Sequence, residues 1–326
     1  MFSKRCKSPC DTDRFNMNLN FLLIAVVFSL IPLGTVNATE NEKFAVVYPE
    51  VKGRFSAVIE QIIEGVDRAS STATLKYKLT KEHSESRLST WLKEEAPSAV
   101  IAIGKLSAKE LAKIELAQPV VVGAVLNFNE QMSEFSGLSL TPHPRSLFER
   151  MLQLRKSIKR VNVVYKEENY GWLMQIAKRE AEQLGLEINM ISVRNPREAA
   201  KKHRDLLDSM KRDVDALWLL QDNETVNDRS VLPVILDKAW RNLIFVFSSK
   251  PSHVKRGVVF SLYPDNVRMG EELYELAKKK AGVSNGVYLD AVTQLKWVVN
   301  VRTTGHLGFH VPAQLKREID VMLPKK

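Results

Sequence analysis

Short apolar runs alternate with amphipathic segments along most of the chain. The runs FAVVY (44–48), VIAIG (100–104) and PVVVGAV (119–125) are apolar enough to be buried on both faces, as strands of a parallel sheet are. Between such runs, apolar residues such as Val58 and Ile62 recur at helical spacing. The pattern predicts α/β architecture with a doubly wound sheet.

The same alternation restarts after Gly137. Apolar runs at 161–165, 187–193, 214–220 and 243–247 are separated by segments with helical periodicity. We therefore predict a second doubly wound, Rossmann-like lobe.

The N-terminus has the pattern of a secretory signal peptide. A basic flank precedes the apolar run at 21–33, and Val36-Asn37-Ala38 offers a small-residue cleavage site. We predict that residues 1–38 are removed and that the protein works in the periplasm. An uncleaved anchor helix is the alternative, and the start codon, Met1 or Met17, stays open.

The positions of the cysteines and the distribution of charge limit the kinds of chemistry and partner that we expect. Both cysteines, Cys6 and Cys10, lie in the predicted signal peptide, so the exported chain has no disulfide or thiol chemistry. The net charge is +10, but the basic residues are spread as pairs over helix surfaces without interleaved aromatics. We expect a solvated surface and no nucleic-acid partner.

The sequence favours binding over catalysis. It has no G-x-G-x-x-G loop, and no nucleophile with its base or pair of carboxylates stands out. His306 and His310 have the spacing of metal ligands on a helix, but glycines and Pro312 crowd that stretch. We predict no enzyme activity, no metal and no cofactor.

The stretch WLLQDNETVND (218–228) places a cluster of polar groups directly after an apolar run. Ligands of open α/β sheets bind at the carboxyl ends of strands, where Asp222 and Asn223 are predicted to lie. These residues either bind a ligand or close a turn before the next helix.

Several segments together resemble the solute-binding proteins of ABC transporters. They are GLSL (137–140), VDALWLLQDNETV (214–226), IFVFSSKPSHVKRGVVFSL (244–262) and VVNVRTTGHLGFHVP (298–312). The resemblance is to the type I periplasmic binding protein branch whose better-known members bind aromatic amino acids. It implies two lobes joined by a three-crossing hinge, with a ligand captured between them. We place lobe 1 at 43–140 plus 262–288 and lobe 2 at 141–261 plus 289–326.

The resemblance implies that Asp222 faces the cleft, where a carboxylate suits a ligand ammonium group. Hydroxyl and backbone groups at strand ends are candidates for the opposite end of the ligand, and aromatic or amide side chains for its body. The candidates are Ser248, Ser249, Gly104, Ser107, Tyr48, Asn127, Asn169 and Tyr170. We interpret Trp172 and Trp218 as core residues.

Two positions depart from the family pattern. Asn127-Phe128 replaces the usual Asp-Pro loop, and Lys105 stands where a small hydroxyl residue is usual. Lys105 either favours an anionic ligand or points into solvent. Both changes argue against an aromatic amino acid as ligand.

We predict that the protein, as a monomer, captures a small polar molecule, such as an amino acid or related amine, and delivers it to the membrane permease of an ABC transporter. The alternative is a ligand-sensing subunit that docks on a membrane sensor kinase or chemoreceptor, because both roles use closure of the same cleft.

Overall fold

The computed structural model describes residues 43–82, 84–128, 132, 134–282 and 286–324. The predicted signal peptide, both cysteines and Met17 lie outside the described residues.

Six parallel strands form the first sheet, whose central strands are mostly buried. Strand β3 (Ala99–Ile103), for example, is buried at every position, as its unbroken apolar run requires. In spatial order the sheet contains β11 (Leu289–Val292), β5 (Ser136–Pro142), β4 (Val120–Val125), β3, β1 (Phe44–Pro49) and β2 (Leu75–Leu79).

Helices cover both faces of this sheet. Helices α1 (Arg54–Ala69) and α8 (Asn266–Gly282) bury one apolar cluster against it, and α2 (Glu85–Glu95) and α3 (Gly104–Leu111) bury another on the opposite face. The first lobe is therefore doubly wound.

The second sheet has seven strands. In spatial order they are β13 (Val321–Leu323), β12 (Leu295–Asn300), β10 (Phe260–Pro264), β9 (Phe245–Ser248), β8 (Asp215–Leu219), β6 (Arg160–Tyr165) and β7 (Glu187–Ser192). The pair β10 and β12 is antiparallel and the others are parallel.

The helices of the second lobe again lie on both faces of the sheet. Helices α4 (Pro144–Leu154) and α5 (Glu167–Gln183) contribute to the larger cluster, and α6 (Pro196–Ser209) and α7 (Val231–Arg241) to the other. A short helix, α9 (Val301–His306), follows β12 and is capped by Asn300. The predicted fold of two doubly wound lobes is confirmed.

The chain passes between the sheets three times, which confirms the predicted hinge. The crossings follow β5, β10 and β11. The residue limits of the lobes remain predictions, with one difference to note: β11 was placed in lobe 2, whereas it pairs with β5 of the first sheet.

Helices α1 and α8 approach each other closely through two glycines. A Cβ on Gly65 would overlap the carbonyl oxygen of Val267, and one on Gly270 would overlap that of Ile62. Because α8 follows a crossing from the second sheet, this contact fixes the returning chain on the first lobe.

Candidate ligand-binding cleft

Side chains from the carboxyl ends of the two sheets meet at one place. Phe128, on the loop after β4, packs edge to face against Trp172 of α5, with ring centroids 5.7 Å apart. The neighbouring Asn127 side chain lies close enough to the Tyr170 hydroxyl to influence its pKa. The first lobe thus touches the start of α5 in the second lobe, where the predicted cleft lies.

Tyr170 links α5 to the polar strand tip. Its hydroxyl donates a hydrogen bond of 2.8 Å to the carbonyl oxygen of Gln221. Burial, followed by the nearby Asp222 carboxylate, raises the pKa of Tyr170, and the Asn127 side chain opposes the shift. Tyr170 therefore remains a neutral donor, and Asp222 and Asn127 both lie near it.

Asp222 organises the tip after β8. Its Oδ1 accepts from the Glu224 backbone N–H at 3.0 Å, and its Oδ2 accepts from the Thr225 hydroxyl at 2.9 Å. This is the turn-closing arrangement that the sequence offered as one alternative. Since the side chain is half-buried and a carboxylate has about four lone-pair sites, a ligand contact at Asp222 stays a prediction.

Asn223 is placed apart from this group. Its side chain is exposed and lines a groove between α6 and α7. Its predicted ligand role is untested, but its position differs from that of Asp222.

Gly104 begins α3 directly after β3, where the sequence predicted the end of the strand. Its φ of 84° is in the left-handed region, and the helix N-terminus has no side-chain cap. Lys105 is exposed there. An uncapped N-terminus leaves backbone N–H groups that suit an anion.

Near the carboxyl ends of β3 and β4, two buried polar atoms lack hydrogen-bond partners among the described residues. They are the Ser107 hydroxyl, on the first turn of α3, and Asn127 Oδ1. An unpaired buried polar group costs about 1 to 3 kcal/mol. Both belong to the predicted site, at the ends of neighbouring strands.

The hydroxyls of Ser248 and Ser249 are engaged within the second lobe. Ser249 Oγ accepts from Trp218 Nε1 at 2.9 Å, and Ser248 Oγ accepts from the Lys250 N–H at 3.0 Å. Both serines are buried, as is Trp218. Their ligand role remains a prediction, but these hydroxyls already have partners.

Ser248 begins a row of three hydrogen-bonded side chains, of which Ser248 and His253 are buried. Its Oγ lies 2.8 Å from His253 Nδ1, and His253 Nε2 lies 2.9 Å from Asp228 Oδ1. Burial lowers the pKa of His253 although Asp228 opposes it, so the ring is neutral near pH 7. The Nε2 atom then donates to Asp228, and Nδ1 accepts from Ser248. The row ties the end of β9 to the loop before α7.

Asp228 is also held by Lys250, whose Nζ lies 2.7 Å from Oδ2. Burial alone would raise the pKa of Asp228, but hydrogen bonds from Lys250 and His253 outweigh it and lower the pKa. The charged Asp228 carboxylate thereby holds the loop before α7 against Lys250 and His253.

Tyr48 and Asn169 are the remaining candidates, one from each lobe. Tyr48 is half-buried near the end of β1, where it lines a surface groove beside α1, and the backbone oxygen of Asn169 accepts from Trp172 Nε1 at 3.2 Å. Their ligand contacts stay predictions.

Sequence reasoning missed three features. Trp172, interpreted as core, is half-buried and contacts the other lobe. The contact between Asp228 and His253 joins residues far apart in sequence, which the pattern could not show. The contact of His253 with Ser248 is local, and the histidine five residues after a strand-end serine could have indicated it. A G-x-S-x-G string at 282–286 was overlooked, but it follows helix α8, whereas the nucleophile turn of hydrolases follows a strand.

Within the described part of the chain, no group of histidine, cysteine or acidic side chains has the geometry to hold a metal ion. Among the same residues, no helix is both long and apolar enough to cross a membrane.

Two doubly wound lobes, between which the chain passes three times and which meet at the carboxyl ends of their strands, define the type I periplasmic binding protein fold. The profile of the ABC transporter substrate binding protein family matches residues 63–320. The chain belongs to this family, whose members are non-catalytic and bind a small-molecule solute for an ABC transporter. No curated protein sequence matches the chain closely enough to count as a relative.

Solved structures show the same fold. The ligand-free, open structure of a substrate binding protein with adhesive properties from Clostridium difficile is 15% identical, covers 87% of this chain and 100% of its own, and has a TM-score of 0.57. The ABC domain in complex with L-Trp from Streptococcus pneumonia is 17% identical with the same coverage and a TM-score of 0.51.

Proposed function

We propose that the protein is exported, captures a zwitterionic amino acid or related amine between its lobes as a monomer, and delivers it to an ABC permease in the periplasm. The observation that carries the proposal is the approach of the first lobe to Tyr170, through Asn127 and the contact of Phe128 with Trp172, on the side of Tyr170 that is also near Asp222. The signal-peptide pattern at 1–38 supports export.

The second lobe supplies the partner for a cation. Asp222 is half-buried, and its negative charge raises the pKa of the Tyr170 hydroxyl. A ligand ammonium group would form a charge-assisted hydrogen bond with this carboxylate, which is stronger than a neutral one. Closure of the lobes would strengthen that bond by excluding water.

The first lobe supplies the partner for a carboxylate. The N-terminus of α3 has no side-chain cap, and the Ser107 hydroxyl on its first turn has no partner among the described residues. A ligand carboxylate reaching this turn would satisfy both, with the helix dipole adding to the attraction. Lys105, exposed beside it, adds a positive charge.

The two ends of an amino acid would therefore contact different lobes. Such a ligand favours the closed arrangement because it interacts fully with both lobes at once. The L-Trp bound to the Streptococcus pneumonia structure supports this class of ligand. Here Phe128 and Trp172 already fill space beside the site, which favours a ligand smaller than an aromatic amino acid.

A thermal-shift screen tests the proposal. The chain without residues 1–38 would be screened against amino acids, nucleosides and small anions, because a ligand at 100 times its Kd stabilises by about 2.7 kcal/mol. We expect an amino acid or amine to give the largest shift. A screen in which small anions alone give shifts would contradict an ammonium partner at Asp222.

Asp222→Ala is the site variant for this screen, and Glu224→Ala is its control. Glu224 is a carboxylate two residues away whose partner is Lys166, at 2.8 Å. Loss of Asp222 should cost about 2 to 4 kcal/mol of binding, roughly 30- to 1000-fold in affinity, whereas the control should bind normally. Equal binding by both variants would show that the site is wrongly assigned.

The membrane partner requires a separate test. We propose a permease; a sensor kinase or chemoreceptor is the alternative. Neighbouring permease and ATPase genes would support transport, and a neighbouring sensor gene would contradict it.

A further inference from the structure

Besides the cleft, a cavity lies between the helices α6 and α7, behind the strand tip that carries Asp222 and Asn223. We call it the α6–α7 groove. Its volume is about 340 Å³, within the usual range of small-molecule sites. Its apolar lining is entirely aliphatic and consists of Ala200, Leu207, Val231, Val234 and Ile235, with Pro196 at one end.

His203 lines this groove, and its imidazole ring is almost completely buried. The residue is 1% exposed, and neither ring nitrogen makes a hydrogen bond of ordinary geometry among the described residues, although the Thr225 backbone lies near the ring. Burial lowers the pKa of His203 to about 4, only partly opposed by the backbone of Thr225. At pH 7 the ring is therefore neutral and offers one N–H donor and one acceptor.

Two arginines border the groove on the same helix. Arg197 and Arg204 are two turns apart on one face of α6 and are exposed. Neither guanidinium has an ion pair or hydrogen bond with any residue in the described part of the chain. Most neighbouring charges on these helices do have partners, such as Lys238 with Asp208.

The α6 N-terminus itself is already capped. Asn195 accepts from the Glu198 N–H at 3.0 Å, so the positive character of the groove comes from the arginines. Asn227 uses its Oδ1 to cap the turn before α7, which leaves its amide N–H groups as donors at the rim.

We propose that the α6–α7 groove is a second ligand site, which binds a short aliphatic carboxylate. The hydrocarbon chain would lie on the aliphatic walls, and the carboxylate would be held by Arg197 and Arg204 and would accept the His203 N–H. This chemistry differs from that of the cleft, where Asp222 favours a cation. The site is also independent of the function proposed above.

The test is an NMR titration with hexanoate at pH 7 of protein labelled with ¹³C and ¹⁵N in histidine. The chain has six histidines, so the His203 ring signal can be assigned by its loss in His203→Gln. We expect a saturable shift of that signal, with a Kd on the order of 1 to 10 mM for so small a ligand.

Matched variants locate the binding. Replacing both Arg197 and Arg204 by alanine should weaken hexanoate binding about tenfold. Replacing Lys201 and Lys202, which are exposed on the same helix and do not line the groove, should leave it unchanged. Ser107→Ala should also leave it unchanged, since that residue belongs to the cleft.

Two further probes separate the parts of the ligand. Hexanol lacks the charge and inorganic phosphate lacks the chain, so both should bind more weakly than hexanoate. The proposal is overturned if the His203 signal does not move, if the double arginine variant binds hexanoate as well as the wild type, if Ser107→Ala abolishes the shift, or if either probe matches hexanoate.

Discussion

The ring of Phe128 meets the ring of Trp172 edge to face, at an interplanar angle of 76°, and the two residues belong to different lobes. An aromatic pair of this kind contributes about 0.5 to 1.5 kcal/mol beyond its buried area. The contact therefore favours approach of the lobes in the absence of ligand, and ligand binding adds to a preference that already exists.

Trp172→Ala should shift the ligand-free protein towards the open form. Loss of the aromatic pair changes the ratio of closed to open molecules by roughly 2- to 10-fold. Small-angle X-ray scattering would record a larger radius of gyration. Trp240→Ala removes an exposed tryptophan that stacks on His306 instead, and it should leave the curve unchanged. Identical scattering by Trp172→Ala and wild type would contradict this role.

Ser107→Ala should raise stability and lower affinity. The hydroxyl is buried without a partner among the described residues, so its removal should stabilise the fold by about 1 kcal/mol. The ligand carboxylate would lose one donor, and affinity should fall about fivefold. Urea unfolding and calorimetry would measure the two effects.

Ser249→Ala is the matched comparison, because its hydroxyl accepts from Trp218 Nε1. That substitution should lower stability and leave affinity unchanged. A Ser107→Ala variant that loses stability but binds normally would place Ser107 among ordinary structural residues.

Much of the fold could be predicted because it is encoded locally. The runs at 100–104 and 119–125 could be recognised as buried strands from their lack of polar residues. The antiparallel pairing of β10 with β12 could not, since it depends on which strand the chain joins when it returns to the second sheet after β11. Gly104 was taken for a strand end, whereas it is the first residue of α3, and its positive φ marks the turn from strand to helix.

The site was harder to predict than the fold. The position of Asp222 at a strand tip followed from the switch from apolar to polar residues. Its partners Glu224 and Thr225 are local, but its proximity to Tyr170, and that of Asn127, depends on packing between lobes. The engagement of Ser248 by His253 likewise depends on a loop conformation that the sequence pattern does not specify.

Stability should fall on acidification through His203. Its pKa in the folded protein is about 4, below the ordinary 6.5, so the unfolded chain takes up the proton first. The stability is complete above pH 6.5 and is lost as the pH falls towards 4, with about 2 to 3 kcal/mol lost by pH 4.5. Urea unfolding at pH 7 and 4.5 would measure this loss.

His203→Gln should remove most of that dependence. A smaller dependence should remain, because burial also lowers the pKa values of His143 and His253. His306→Gln, at a more exposed histidine, should resemble the wild type. An unchanged loss of stability in His203→Gln would show that this residue is not titrated as the structure indicates.

Gly65→Ala should destabilise the first lobe. The added Cβ would overlap the Val267 carbonyl oxygen, so α1 and α8 must separate, at a cost of about 1 to 3 kcal/mol. Gly282→Ala is the control, because a Cβ there meets nothing within 4 Å. Thermal unfolding should show a lower Tm for Gly65→Ala alone; equal Tm values would contradict the close helix contact.

The most direct test of the central claim is a calorimetric cycle at Asp222. The wild type and Asp222→Asn would each be titrated with the amine found in the screen and with its desamino analogue. Asparagine keeps one oxygen that can accept from the Glu224 N–H, and its amide N–H can donate to the Thr225 hydroxyl oxygen, so the turn is preserved while the charge is removed. If Asp222 holds the ammonium group, the substitution or the desamino analogue alone should cost about 2 to 3 kcal/mol of binding. The two changes together should cost no more than either change alone. Two independent losses that add in full would show that the ammonium group and Asp222 do not interact.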